Sequence, residues 1–123
     1  MKKKPTIACP TEYEEQVAFV EWLELKGLKF SAIPNSTFTK SWNQKRKNTA
    51  TGLRAGLPDM LIIVPPGRSS PGGLAFVEMK RKQGGVLSPY QKEWIEALNA
   101  CKFVEARVCY GHEEAISFIS ELL

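Results

Sequence analysis

Three charged residues that border two apolar segments could perform chemistry together. Asp59, the only aspartate of the chain, stands directly before the apolar run 60–64, and Glu78 and Lys80 end a second such run, 74–80. Because side chains of a strand alternate between its two faces, Glu78 and Lys80 share a face, roughly 6.6 Å apart along the strand. If the two runs pair as a hairpin, all three charged side chains converge at one place in the sheet.

Two carboxylates beside an ammonium are costly to hold in a protein unless they are paired or bind a cation. Carboxylate oxygens with a nearby lysine suit Mg²⁺ or Mn²⁺ and not Zn²⁺. The set favours phosphodiester hydrolysis, in which the carboxylates hold a metal and the lysine orients a water or stabilises developing charge. Each residue alone has an ordinary alternative: Asp59 as a turn residue after Pro58, and Glu78 and Lys80 as the end of a strand.

Caps, chain breakers and apolar periodicity predict the elements that must position these residues. The predicted helices cover 11–26, 88–100 and 112–123, and the predicted strands cover 30–33, 59–64, 74–80 and 103–109. The polar segment 36–56 has weak periodicity and is predicted to be a long loop or a poorly ordered excursion. This order predicts an α/β fold with a mixed central β-sheet flanked by α-helices.

Length and composition bound the class of protein. The chain has 123 residues, of which 43% are hydrophobic and 24% charged, which excludes a wholly disordered chain, a collagen-like repeat and a membrane protein. Three cysteines without a CxxC pair argue against a disulfide scaffold. We interpret residues 1–10 as a basic, solvated N-terminal arm and not a signal peptide, and 11–123 as a single domain of a cytoplasmic protein.

Positive charge is concentrated in one part of the sequence. No acid occurs between Glu24 and Asp59, while that stretch contains seven basic residues: Lys26, Lys29, Lys40, Lys45, Arg46, Lys47 and Arg54. A one-sided basic segment in a chain of net charge +4 predicts a surface for a polyanion, with an ordinary solvated loop as the alternative. Within it, Phe38 and Trp42 either stack on splayed bases or anchor the segment to the core.

Pro58-Asp59 followed by Glu78-Met79-Lys80 resembles the PD-(D/E)XK nuclease signature. The surroundings resemble one branch of it, the VRR-NUC (virus-type replication-repair nuclease) domain, which is known from phage proteins and eukaryotic repair nucleases. The resemblance covers most of the chain, through segments 12–16, 22–23, 33–35, 52–59, 73–80 and 87–91, with Trp94 and Leu98. One departure is the segment 100–103, where relatives tend to have a Gly-aromatic turn and this chain has Ala-Cys-Lys-Phe.

The resemblance implies a restriction-endonuclease-like core and a role for each site residue. Asp59 and Glu78 are implied to be metal ligands, the Met79 carbonyl to complete the coordination, and Lys80 to be the catalytic lysine. The cofactor implied is Mg²⁺ or Mn²⁺.

The family also places a glutamate of the first helix near the metal, and a glutamine of a later helix at the site. Glu12 is our first choice for the glutamate and Glu15 the alternative. Gln91 matches the glutamine, whose amide would hold substrate or the lysine. His112, the only histidine, is expected to cap a helix or lie on the surface, since the metal–lysine mechanism needs no histidine.

These expectations combine into a metal-dependent DNA endonuclease, selective for branched, flap or junction DNA such as a Holliday junction, in phage-type replication or repair. Phosphates would be tracked by the basic residues Lys40, Lys45, Arg46, Lys47 and Arg54. A homodimer that cuts two strands is one arrangement open to so small a domain. The alternatives are a non-catalytic nucleic-acid-binding module and a structural or assembly protein, and the latter leaves the Asp/Glu/Lys set without a purpose.

Overall fold

The structure, a computed structural model, describes residues 8–34 and 41–123. Its elements are, in chain order, α1 (Glu12–Lys26), β1 (Phe30–Ala32), α2 (Trp42–Ala50), β2 (Met60–Val64), β3 (Gly73–Lys80), α3 (Pro89–Asn99), β4 (Val104–Tyr110) and α4 (His112–Leu122). Every predicted helix and strand is present, with ends that agree within one residue. The predicted α/β class, a mixed sheet with flanking helices, is confirmed.

Helix α2 corrects the prediction that 36–56 is one long loop. Ser41 caps the helix by accepting the backbone N–H of Gln44, and the Gln44 amide donates to the side chain of Asn48 at 2.7 Å. No residue of α2 is buried, so the segment lacks the apolar stripe by which a helix is recognised in a sequence. Residues 35–40 of the same segment lie outside the described part of the chain.

The four strands form one sheet in the order β1-β2-β3-β4. Strand β2 pairs antiparallel with β1 and β3, which confirms the predicted hairpin, and β4 pairs parallel with β3. The β2–β3 register places Met60 opposite Val77. If the same register is extended by one residue beyond the Met60–Val77 pair, Asp59 lies opposite Glu78 at the end of the hairpin.

The hydrophobic core lies between one face of the sheet and the helices α1 and α4. It consists of alternate sheet residues (Met60, Ile62, Val64, Ala75, Val77, Met79, Cys109) and of helix residues Phe19, Leu23, Ala115, Phe118 and Ile119. Glu78 and Lys80 have the opposite parity in β3, so they project from the other face. No helix in 8–34 or 41–123 is both long enough and apolar enough to cross a bilayer.

Helix α3 is fixed to its neighbours at both ends. At its C-terminal end, the Asn99 amide forms two hydrogen bonds with the main chain of Ala106 in β4, at 2.7 and 2.9 Å. Nearer its start, the Trp94 indole N–H donates to the carbonyl of Ala55 at 3.1 Å. Gly56 approaches the backbone of Tyr90 so closely, with φ 101°, that a Cβ there would lie 2.6 Å from main-chain atoms. Helix α3 is thereby held against the segment that leads into Asp59.

Candidate active site

The carboxylates of Glu12, Asp59 and Glu78 meet at one end of the sheet. Each residue contributes one carboxylate oxygen, and these three oxygens all lie within 4.8 Å of one another. The hairpin register brings Asp59 to Glu78. Glu12 is brought by the start of α1, where Thr11 accepts the backbone N–H of Glu14 and the Glu14 carboxylate accepts the N–H of Thr11 in a capping box. The cap sets where the helix begins and so holds Glu12 in its first turn.

Asp59 is positioned by main-chain hydrogen bonds on both sides. Its Oδ2 accepts the backbone N–H of Met79 at 2.7 Å, and its carbonyl accepts the N–H of Ile33 at 2.7 Å. Burial raises the pKa of Asp59, the Met79 N–H opposes that rise, and the negative charge of Glu12 adds to it. The Met79 side chain itself is fully buried in the core, so only its main chain borders the site.

Glu78 is the most buried of the three carboxylates, with 2% of its surface exposed. Its Oε1 accepts the Gln91 amide at 2.7 Å and lies 3.6 Å from the Lys80 ammonium. Its Oε2 is buried and has no hydrogen-bond partner among the described residues. Burial, reinforced by the negative charge of Asp59, raises the pKa of Glu78 to about 7, although the Lys80 charge opposes the rise. A buried carboxylate oxygen without a donor is the arrangement that a bound cation satisfies.

Gln91 has a fixed orientation at the site. Its Oε1 accepts the N–H of Ser88, and the Ser88 hydroxyl in turn accepts the N–H of Gln91, which forms the capping box of α3. With the amide oxygen occupied by Ser88, the NH₂ group faces Glu78. The resemblance implied an amide that holds substrate or the lysine, whereas in the structure its side-chain partner is the Glu78 carboxylate.

Glu15, the alternative to Glu12, lies elsewhere and has different partners. It is 2% exposed, and its Oε2 accepts the backbone N–H of His112 at 2.8 Å while its Oε1 lies 3.1 Å from His112 Nδ1. Glu15 therefore joins α1 to the N-terminus of α4, where a carboxylate is favoured by the exposed N–H groups. Residues 97 positions apart give no local sign of this pairing, so the sequence left Glu12 and Glu15 as alternatives.

The predicted phosphate-binding residues are distributed around α2. Lys45, Arg46 and Lys47 are exposed on the helix, and Arg54 is exposed just beyond it. Two further predictions in this segment, Lys40 and Phe38, lie outside the described residues. Trp42 is 74% exposed and its ring lies 4.9 Å from the Lys45 ammonium. The alternative in which Trp42 anchors the segment to the core is therefore wrong.

Sequence comparison decides the family of this domain. The sequence matches the VRR-NUC domain family over residues 3–113, which is most of the chain. The chain belongs to the VRR-NUC family. A VRR-NUC domain is a nuclease-type domain, so the carboxylate cluster lies in a protein built to act on nucleic acid. The resemblance drawn from the Pro-Asp and Glu-Met-Lys segments is thus confirmed at the level of the family.

Solved structures agree with this assignment. A structure described as a VRR_NUC domain protein is 25% identical to this chain, with a TM-score of 0.73 over 95% of this chain and 91% of the other. A second, described as a VRR_NUC domain, is 20% identical, with a TM-score of 0.60 over 90% of this chain and 97% of the other, and shows the shared fold. No curated protein matches the sequence.

Proposed function

We propose that this VRR-NUC domain is a Mg²⁺- or Mn²⁺-dependent DNA endonuclease. The observation that supports it most strongly is the buried Oε2 of Glu78, which has no hydrogen-bond partner among the described residues although Glu12 and Asp59 approach the same carboxylate. Three carboxylates so close together repel one another, and a divalent cation removes that repulsion.

The donors fit a hard cation. All three side-chain donors are carboxylate oxygens, which suit Mg²⁺ or Mn²⁺, and no histidine or cysteine belongs to the cluster. In this proposal Glu12, Asp59 and Glu78 hold the ion, with the Met79 carbonyl as the main-chain donor that the family resemblance implies. A bound ion would polarise the scissile phosphodiester and acidify a coordinated water.

Lys80 and Gln91 complete the proposed site. Lys80 is 9% exposed and its ammonium lies 3.6 Å from Glu78. In this proposal it orients the attacking water or stabilises charge on the phosphate in the transition state. The Gln91 amide occupies one oxygen of Glu78, and the other has no donor within 8–34 and 41–123. Catalysis is proposed for Asp59, Glu78, Lys80 and Gln91 together.

The substrate proposed is branched DNA: a flap or a junction such as a Holliday junction. The exposed cations of α2, with Arg54 and Lys40, would bind its phosphates, since α2 contains no acid to repel them. A small domain has little surface with which to hold a continuous duplex, and a homodimer would supply the second site for cutting two strands. We place this activity in phage-type replication or repair, in the cytoplasm of the cell or of the phage host.

A nicking assay with purified protein tests the proposal. Linear duplex, flap and four-way-junction DNA are incubated with Mg²⁺, Mn²⁺, Ca²⁺ or a chelator, and a Glu78→Ala protein purified in parallel is the control for contaminating nucleases. We expect cutting with Mg²⁺ or Mn²⁺, none in chelator, and binding without turnover in Ca²⁺, whose coordination is looser. Cutting that survives exhaustive chelation would contradict metal dependence. DNA binding without cutting in every ion would favour the non-catalytic binding module instead.

A further inference from the structure

An open pocket of about 660 Å³ lies between α2 and α3. One wall is a face of α3 that presents Tyr90, Glu93 and Trp94, and the other comes from Leu53 and Arg54 in the segment after α2. These helix positions are three and four residues apart, so they line one side of α3. The volume is in the range of pockets that hold small organic ligands.

Two contacts relate the lining of the pocket to the carboxylate cluster of Glu12, Asp59 and Glu78. Tyr90 immediately precedes Gln91, whose amide contacts Glu78 at 2.7 Å. Gly56 packs on the backbone of Tyr90 and is three residues before Asp59 in the chain. The lining of the pocket is therefore one residue along α3 from the side chain that contacts Glu78, and we infer that a ligand in the pocket would lie on the same side of the domain as a phosphate at the carboxylates.

The pocket offers two aromatic side chains to a planar ligand, one of them held in place. Trp94 is fixed by its hydrogen bond to the Ala55 carbonyl, while Tyr90 remains 62% exposed on the open side. An exposed aromatic ring in a pocket next to a nucleic-acid site is a surface on which a base can stack.

The carboxylate of Glu93 favours a base over a phosphate on its side of the pocket. The Arg54 Nη1 donates to the carbonyls of Thr49 and Leu53, which sets the plane of its guanidinium at the wall. Glu93 repels a phosphate but accepts a hydrogen bond from an exocyclic amino group, as carboxylates do from cytosine. Of the proposed phosphate-binding cations, Arg54 lies at the wall of the pocket, and Lys45 lines an adjoining hollow that shares Thr49 and Leu53 with the pocket.

We propose that this pocket binds one unpaired nucleobase that has an exocyclic amino group, next to the phosphate that is cut. This rests on the proposed function, which brings nucleic acid to the carboxylates. A base in a continuous duplex must be unstacked and unpaired before it can enter, whereas a base in a flap or at a junction is already free or costs less to displace. The pocket thus accounts for selection of DNA with a single-stranded nucleotide at the site.

Binding measurements in Ca²⁺ test this without requiring cleavage. Fluorescence anisotropy is recorded with labelled oligo-dC and oligo-dT of about 12 nucleotides, within the usual site size of single-strand-binding domains, and with a duplex of the same length. Tyr90→Ala removes the exposed ring, and Tyr90→Phe is the matched control because it keeps the ring. We expect Tyr90→Ala to bind single strands about ten-fold more weakly, the scale of one base–aromatic stack, with duplex affinity unchanged. Tyr90→Phe should bind like the parent, and Glu93→Gln should lose the preference for dC over dT.

The outcomes separate this inference from the proposed function. Folded Tyr90→Ala protein that keeps the parent affinity for single strands, or that loses duplex affinity equally, overturns the base pocket. If the parent cuts DNA with Mg²⁺ and Tyr90 has no effect, the nuclease stands and the pocket falls. If no ion supports cutting but single-strand binding depends on Tyr90, the pocket stands and the nuclease falls.

Discussion

The raised pKa of Glu78 predicts that, without a bound cation, the carboxylate cluster lowers the free energy of unfolding at neutral and alkaline pH. The pKa is about 7 in the folded protein against an ordinary value of 4.5, so the folded state binds this proton more tightly than the unfolded state. The folded protein therefore favours the uncharged carboxyl group of Glu78. The stability that the protonated Glu78 carboxyl contributes is complete below about pH 4.5, its ordinary pKa. It is lost as the pH rises through about 7, its pKa in the folded protein.

The size of the Glu78 pKa shift sets how much free energy of unfolding is lost at alkaline pH. A pKa raised from 4.5 to about 7 corresponds at most to about 3 kcal/mol. Glu12, at the mouth of the site, is exposed, so solvent screens the cluster and we expect about 1 to 2 kcal/mol. Glu78→Gln removes the ionisation and keeps the shape of the side chain. The metal-free variant should match the parent near pH 4 and exceed its free energy of unfolding by this amount near pH 8.

Urea unfolding in chelator across that pH range measures the difference, with Glu113→Gln as the control because Glu113 is an exposed carboxylate outside the cluster. Added Mg²⁺ should stabilise the parent more at the alkaline end, where Glu78 is ionised, and should stabilise Glu78→Gln little. A metal-free Glu78→Gln protein that is less stable than the parent near pH 8 would refute the reasoning. It would mean that the ionised carboxylate is already satisfied by Lys80 and Gln91.

Three further predictions concern binding and the support of the site. Replacing the basic residues 45–47 of α2 with neutral ones should weaken DNA binding. The slope of log affinity against log salt concentration should flatten by roughly 0.9 for each phosphate that the protein no longer neutralises. An unchanged slope would make α2 an ordinary solvated helix. Glu15→Ala should lower the free energy of unfolding by about 1 to 3 kcal/mol, since it leaves the His112 N–H without its acceptor, and unaltered urea unfolding would contradict this. Thr11→Ala removes the α1 cap and should cost about 1 kcal/mol. It should also weaken Mg²⁺ binding in a calorimetric titration, because the turn that carries Glu12 frays, whereas unchanged affinity would show that the cap does not position Glu12.

The hairpin and its charged residues were predictable because their signals are local. Strand alternation places Glu78 and Lys80 on one face, and a short connection makes antiparallel pairing of β2 with β3 the natural arrangement. Helix α3 was predictable for the same reason, since Ser88 and Pro89 mark its first turn within the sequence.

Other features depend on contacts between distant residues or on a helix without an apolar face. The separate positions of Glu12 and Glu15 follow from how α1 packs on α4, and only the fold brings Glu15 to His112. Helix α2 was not predicted because none of its residues is buried. Apolar periodicity, the main sign of a helix in a sequence, is therefore absent from it. The unsatisfied oxygen of Glu78 is likewise a property of packing, which sequence spacing does not encode.

The most direct test of the proposed nuclease site is a comparison of two neighbouring lysines. Lys80→Ala removes the ammonium beside Glu78 and leaves the three carboxylates in place, while Lys82→Ala removes an exposed lysine that is paired with Glu113 outside the cluster. With folding, Mg²⁺ binding and DNA binding checked for both, we expect the single-turnover cleavage rate of Lys80→Ala to fall on the order of 100-fold or more. Lys82→Ala should cut at the parent rate. A folded, metal-binding Lys80→Ala protein that cuts as fast as the parent would contradict the assignment of this cluster as the catalytic centre.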